Sequence, residues 1–292
     1  MLRYGAIFLV LCYFYKLKFF DQNAVFAFLF VGLGILSASV IYQLVSSTDA
    51  IVFSSDSVRG GLSGSLSNRN ILGLFMGFGL CLSAVAIRRS LALKFAALFL
   101  FAFFMIFSFS RAAWVGAFCA LAFYGALNLK SLNKKYLLFT VGFIALFAVL
   151  LALSPSFEQR LAALFSGDSS GRTVIWSYIL EMAQQKPILG YGLGSYINLP
   201  GSPVLEHPEY NAPHNLFLEI LLYSGVLGLI FYSLILFSVF KECIQSRQFG
   251  VLTLLIYLLI DCQFDHGAYL SKEALSLATI LSFLAYRMRI ER

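Results

Sequence analysis

The sequence predicts an all-α polytopic membrane protein of about nine transmembrane helices, with one large external loop carrying short amphipathic helices. Three observations predict it. The 292 residues are 60% hydrophobic and 12% charged, with a mean hydropathy of +0.85, and a soluble domain would need about twice that charged fraction. Apolar runs of spanning length recur along the chain. All six prolines (Pro155, Pro187, Pro200, Pro203, Pro208 and Pro213) lie in one hydrophilic segment and none in a span. The net charge of +7 is not gathered into one patch. Membrane lipids rather than nucleic acid are the expected surroundings, since such an excess marks cytoplasmic loops.

Taken in order, the opening "MLRYGAIFLVLCYFYKLKFF" reads as a span over residues 4–15. It has lysines after its apolar part and no small-residue cleavage site, unlike a signal peptide. Spans follow at Ala24–Leu44, Ile71–Ile87, Leu91–Phe109, Ala112–Leu129, Tyr136–Leu153 and Leu216–Phe240, with shorter runs at 249–262 and 272–286. Nine is the resulting number, with eight or ten inside the tolerance of a requirement for ~20 apolar residues. The chain thus divides into amino-terminal transmembrane helices (1–153), an external loop domain (154–213) and carboxyl-terminal transmembrane helices (214–292).

Cations follow every second span: Lys16 and Lys18; Arg88, Arg89 and Lys94; Lys130, Lys134 and Lys135; Lys241 and Arg247; Arg287, Arg289 and Arg292. By the positive-inside rule that face is cytoplasmic, the carboxyl terminus is inside and the amino terminus outside. The opposite face holds the 45–70 loop, the tight "SFSR" hairpin at 108–111 and the segment from Ser154 to Pro213. There "SFEQRLAALF" places Phe157, Leu161, Leu164 and Phe165 on one helical face. In "SSGRTVIWSYILEMAQQKP" the residues Ile175, Tyr178, Ile179 and Met182 do the same. Ser169 or Ser170 would cap the second helix and Pro187 would stop it. Both helices are expected on the membrane surface or against the bundle.

Outward-facing cations are mostly arginine: Arg3, Arg59, Arg69, Arg111, Arg160 and Arg172 against Lys186 and Lys272. Guanidinium holds phosphate through paired hydrogen bonds and keeps its charge when half-buried. For Arg3, Arg69 and Arg160 the plainer reading is contact with lipid headgroups. Arg111 sits in a hairpin too short to reach water, where a charge costs roughly 1–3 kcal/mol without a partner. A functional role and a structural ion pair stand as equal readings of it. Arg172 falls in a first helical turn, against the helix dipole.

His207 and His266 read as solvated or structural. His214 is distinguished by the stiff Pro213 before it, Asn215 after it and the span that begins at once. An imidazole at the membrane surface can take a proton at physiological pH. Glu219 lies one turn below Asn215 and serves either to orient polar groups or in a core hydrogen bond. "GYGLGSY" (190–196) resembles a phosphate loop but follows no strand, so a flexible turn is the better reading. The acidic residues are dispersed and the five cysteines show no CxxC spacing, so neither a metal site nor a disulfide framework is indicated. No cofactor is called for.

"SFSRAAWVGA", "GRTVIWSYILEMAQQKPILGYGLGSY" and "HNLFLEILLYSGVLGLI", in this order and separation, resemble the O-antigen ligase and polymerase family. "RGGLSGSLSNRNILG" fits more loosely, so the likeness runs from about residue 59 to 235. The resemblance implies a many-helix protein of the bacterial inner membrane, with the large loop and the active site in the periplasm. It implies a glycan donor on undecaprenyl pyrophosphate, with lipid A–core as acceptor for a ligase and another glycan for a polymerase. Carried over by position, Arg111 and Arg172 grip the pyrophosphate, Arg59 and Asn215 join the substrate site, and His214 is the catalytic residue at the acceptor. Transfer would be metal-independent and inverting, because the departing pyrophosphate needs only positive charge to receive it. A small-solute transporter is the reading from another class. It is disfavoured because such proteins bind through interrupted helices and paired repeats, while the spans here hold no proline and no repeat is visible.

Overall fold

Asparagine and serine mark the helix starts. The side chain of Asn68, Ser90, Ser110 or Asn215 accepts a backbone N–H in the first turn of the helix it precedes, at 2.8–3.4 Å. Such caps satisfy donors that the helix itself leaves open and contribute about 1 kcal/mol each. The computed structural model describes residues 22–46, 61–66, 68–87, 90–128, isolated positions between 141 and 162, 171–208 and 210–264. Among the described residues, seven helices carry the membrane-type sequence and the external segment: α1 (Gln22–Ser46), α2 (Arg69–Ala86), α3 (Leu91–Phe107), α4 (Arg111–Leu127), α5 (Arg172–Gln185), α6 (Leu216–Gln245) and α7 (Phe249–Asp261). Short 3-10 turns stand at Ser195–Asn198 and Pro203–Leu205.

All regular structure among the described residues is helical. Three helices, Phe26–Ser46 within α1, α2 and α6, are long and apolar enough to cross a membrane, while α3, α4 and α7 are apolar and shorter. α3 stops at Phe107, two residues short of the expected Phe109, because Phe109 takes φ 55° and leaves the helical region. The expected spans at 4–15, 136–153 and 272–286 and the amphipathic helix at Phe157–Phe165 lie outside the described residues, isolated positions aside. Large apolar side chains point outward, among them Phe28, Ile35 and Val45 on α1 and Phe231, Ile235 and Phe237 on α6. Exposure on this scale fits a lipid environment.

The chain forms two compact units. The first takes α1 to α4 together with Ile256–Leu258. Its centre is α2, where glycines allow close approach. A Cβ on Gly73 would stand 2.5 Å from Ser110 Cβ, and one on Gly77 would stand 2.3 Å from the Tyr257 hydroxyl. Tyr257 donates that hydroxyl to the Leu74 carbonyl at 2.9 Å. Small residues at helix contacts of this kind are the usual means of packing in lipid. Lys94, expected as a loop cation, is buried and donates to Ala84 O at 2.7 Å, closing the carboxyl end of α2. The 61–66 loop is tied to α1, since Gln43 Oε1 accepts from both Ser63 N and Gly64 N.

The second unit takes the described residues 171–255 and 259–264. α5 lays Ile175 and Ile179 against Leu222 and Tyr223 of α6, with Tyr196 buried between and Tyr178 and Met182 at the edge. This is the face expected from the periodicity. The cap is not the expected serine: Gly171, at φ 78°, precedes α5 with no side-chain bond. Nor is α6 one continuous helix. It breaks at Gly225 (φ 63°, ψ −165°), although the span holds no proline.

The break has a definite cause. Val226 N and Leu227 N donate to Pro187 O (2.7 Å) and Ile188 O (3.3 Å), while Tyr191 N and Gly192 N donate to Leu222 O and Tyr223 O, both at 2.9 Å. Two amides and two carbonyls that a continuous helix would pair internally are thus paired with one turn of the external segment. "GYGLGSY" is therefore an anchored turn rather than a flexible one. A Cβ at Gly190 would sit 2.6 Å from Leu222 O, and one at Gly225 would sit 2.2 Å from Ile188 O. Both glycines also need positive φ. Gly190→Ala and Gly225→Ala are each expected to lower stability by about 1–3 kcal/mol or more. Gly125→Ala, whose Cβ meets open space, should be neutral or slightly stabilising. Thermal unfolding in detergent checks this, and equal behaviour of the three variants would contradict it.

Candidate active site

The first unit places Arg111 at the opening of α4. Ser108 Oγ donates to Met105 O (2.7 Å) and accepts from Ser110 N (3.3 Å), which folds the hairpin tightly. Leu62 N donates to Phe107 O at 2.8 Å, and Gly61 lies against Phe109. Gly61 and Leu62 therefore pack on the hairpin that carries Arg111, while Arg59 lies outside the described residues. Trp114 Nε1 donates to Met105 O at 3.1 Å and fixes the start of α4 to the end of α3. Arg111 is only 8% exposed.

The second unit brings α5 to the approach of α6. Trp176, one turn after Arg172 and on its face of the helix, donates its indole N–H to Pro213 O at 3.1 Å. Tyr210 packs on Gly171, immediately before Arg172, so closely that any Cβ there would lie 2.3 Å from the ring. Tyr196 holds Tyr210 in turn, donating its hydroxyl to Tyr210 O at 3.0 Å. Burial pushes the Tyr196 phenol well above the usual range, so it stays a donor. Arg172 and His214 are in this way attached to the two ends of one short set of contacts.

His214 has φ 51°, a left-handed conformation uncommon outside glycine. Its neighbours hold it there. Pro213 O is fixed by Trp176, and Asn215 uses both ends of its amide: Oδ1 accepts from Leu218 N (3.0 Å) and Nδ2 donates to Gln263 O (3.2 Å). Leu216 N adds a bond to Cys262 O at 3.0 Å, joining the start of α6 to the end of α7. A strained residue persists where its surroundings over-determine it, and such residues cluster at functional sites. Glu219, one turn on, is fully buried. A carboxylate in the first turn suits the helix dipole.

Arg111 and Arg172 share a further property. Each is the first residue of its helix, with no acidic residue in that first turn; Arg69 of α2 is a third case. A cation and a helix amino terminus repel one another, and both attract an anion. Residues 95–233, which contain Arg111, Arg172, His214 and Asn215, match the family model described as O-Antigen ligase. This stretch is similar to the O-antigen ligase family. It is also similar to proteins named "Putative polysaccharide ligase": 32% identical over 92 residues to one from Rickettsia conorii and 34% identical over 88 residues to one from Rickettsia felis. The first alignment covers 28% of this chain and the second 27%, and each covers 22% of the relative. A third, from Rickettsia typhi, is 34% identical over 79 residues, 24% of this chain and 20% of the relative. The chain thus matches about a fifth of the length of these relatives.

Within residues 95–233, sequence reasoning missed Trp176 and Tyr210 as the residues that seat α5 on the histidine's approach. The four-residue spacing of Arg172 and Trp176 was the available signal. Trp176→Phe keeps the ring and loses the indole bond. It is expected to cost about 1 kcal/mol, or up to about 3 if Pro213 O is left unsatisfied. Asn215→Ala should cost about 0.5–2 kcal/mol for the cap alone. Denaturation midpoints in detergent measure both, and unchanged midpoints would contradict these roles.

Proposed function

We propose that this chain transfers a glycan from undecaprenyl pyrophosphate to an acceptor, as an O-antigen ligase acting on lipid A–core. We place it in the bacterial inner membrane as a multi-pass protein of about nine spans, with the site facing the periplasm. The observation that supports the site most is the seating of α5 on the approach to His214, through Trp176 and Tyr210.

In this reading the acceptor hydroxyl attacks the anomeric carbon from the face opposite the pyrophosphate. The new glycosidic C–O bond forms as the sugar–phosphate C–O bond breaks, and the acceptor proton passes to His214. Inversion follows from that single displacement. Negative charge gathers on the departing pyrophosphate, and by resemblance Arg111 and Arg172 are the residues that supply guanidinium groups to it. Arg59 belongs to the donor site by resemblance. Asn215 acts by positioning, since its amide is already engaged on Leu218 and Gln263. No step needs a metal.

A polysaccharide polymerase would use the same chemistry on a glycan acceptor, and the cell distinguishes the two. Loss of a ligase leaves polymer on the lipid carrier, whereas loss of a polymerase leaves single repeat units attached to the surface lipid. A transporter is less well supported. An interrupted helix is indeed present in α6, but two amides and two carbonyls at the break are already paired with the 187–192 turn. They do not serve as half-helix ends for a solute.

The test is the electrophoretic pattern of surface glycolipid from a deletion strain. Wild type should restore the capped form. His214→Ala and Arg172→Ala, present in the membrane at wild-type levels, should not. Capped glycolipid from both variants would refute the assignment.

A further inference from the structure

Exposure along α6 changes character at its break. Before Gly225 the helix is enclosed: Leu216, Ile220, Leu222 and Tyr223 are all buried. After it the apolar side chains turn outward, with Val226 and Leu227 exposed and Phe231 reaching 64% exposure. From Val226 to Phe240, before Lys241 on the expected cytoplasmic face, the helix has roughly 15 residues, about 22 Å at 1.5 Å per residue. The hydrocarbon core of a bilayer is about 30 Å thick, so if α6 spans, Gly225 lies at or just inside the edge of the lipid.

The turn hydrogen-bonded to this break stands at the same edge. Pro187 O, Ile188 O, Tyr191 N and Gly192 N are bonded to α6 residues between 222 and 227, which fixes the depth of the turn. Its side chains are large, apolar and uncovered: Leu189 is 73% exposed and Leu193 64%, with Ile188 alongside. Lys186 stands 4.7 Å above the Tyr191 ring, and Tyr191 Oη donates to Gln185 Oε1 at 3.2 Å. An ammonium and a phenol beside apolar residues are the composition of a headgroup boundary, where long side chains keep their polar ends in water. The exposed surface of the turn runs on into that of Val226 and Leu227, which already faces lipid if α6 spans.

We infer that the Pro187–Leu193 turn is a membrane anchor, which inserts Ile188, Leu189 and Leu193 among the acyl chains of the adjacent leaflet and so fixes the height of the external unit. The inference goes beyond glycan transfer and does not depend on it. Three uncovered aliphatic side chains on a turn disfavour water and gain by burial among acyl chains. Irregular backbone at membrane depth is tolerated only when its polar groups are paired, and four of those groups are paired here with α6.

The test uses the full chain in liposomes of phosphatidylethanolamine and phosphatidylglycerol that contain no polyprenyl lipid. Nitroxide labels are placed through Leu189→Cys and Leu193→Cys in a chain whose native cysteines are replaced. Phe231→Cys serves as the lipid reference and the exposed Gln184→Cys as the water reference. Collision with oxygen should exceed collision with a nickel chelate at 189 and 193, as at 231, and the order should reverse at 184. A label at 189 as open to chelate as that at 184 overturns the anchor. So does a label that leaves water only when undecaprenyl phosphate is added, which would make the occupant a prenyl chain. Exclusion of both colliders would make it a second copy of the chain, and also overturns the anchor. Should the cysteine replacements fail to fold, Leu189→Trp in the native chain gives the same decision. Its added emission should be largely lost in acyl-brominated lipid, and emission unchanged from ordinary lipid overturns the anchor.

Discussion

The exchange of four backbone hydrogen bonds between the 187–192 turn and the break in α6 is the constraint on which the second unit rests. A helix in lipid cannot leave amides and carbonyls unpaired, since each would cost several kcal/mol. Breaking α6 at Gly225 is therefore tolerated only because a turn of matching polarity fills the gap. The converse also holds: the turn has no sheet or helix of its own and is ordered by α6. Because Pro187 and Ile188 directly follow α5, the same bonds fix the carboxyl end of α5. Trp176 and Tyr210 fix its amino-terminal half. The helix that carries Arg172 is thus held at both ends on α6 and on the approach to it that contains His214.

Charge placement gains meaning from that rigidity. An arginine at the first position of a helix is mildly unfavourable for the protein alone. The arrangement becomes favourable when an anion arrives, because guanidinium and helix dipole then act in the same direction. Preorganised groups of this kind need not reorient as charge develops, which is the source of much of the rate advantage in charge-separating steps. The strained His214 has the same logic. Its backbone conformation is maintained by bonds on both sides of it.

Much of this was legible in the sequence, for local reasons. Apolar runs place the helix starts within a few residues, and the 3.6-residue period of α5 identifies its buried face. Motif likeness picked out Arg111, Arg172 and His214. What could not be read depends on contacts distant in sequence. The break at Gly225 comes from a turn some 35 residues earlier, and glycine is too common in membrane helices to announce one. Proline was the expected sign of an interruption, and none is there. The cap of α5 was misplaced because a glycine held at φ 78° by the Tyr210 ring replaces the serine that propensity favours.

The decisive quantity for the proposed role of His214 is the initial rate of transfer in proteoliposomes containing the purified chain, undecaprenyl-pyrophosphate-linked glycan and lipid A–core, with chelator present. Wild type should transfer, and His214→Ala should fall by about 10²–10⁴-fold with binding of the donor retained. Equal rates for the two proteins would overturn that role.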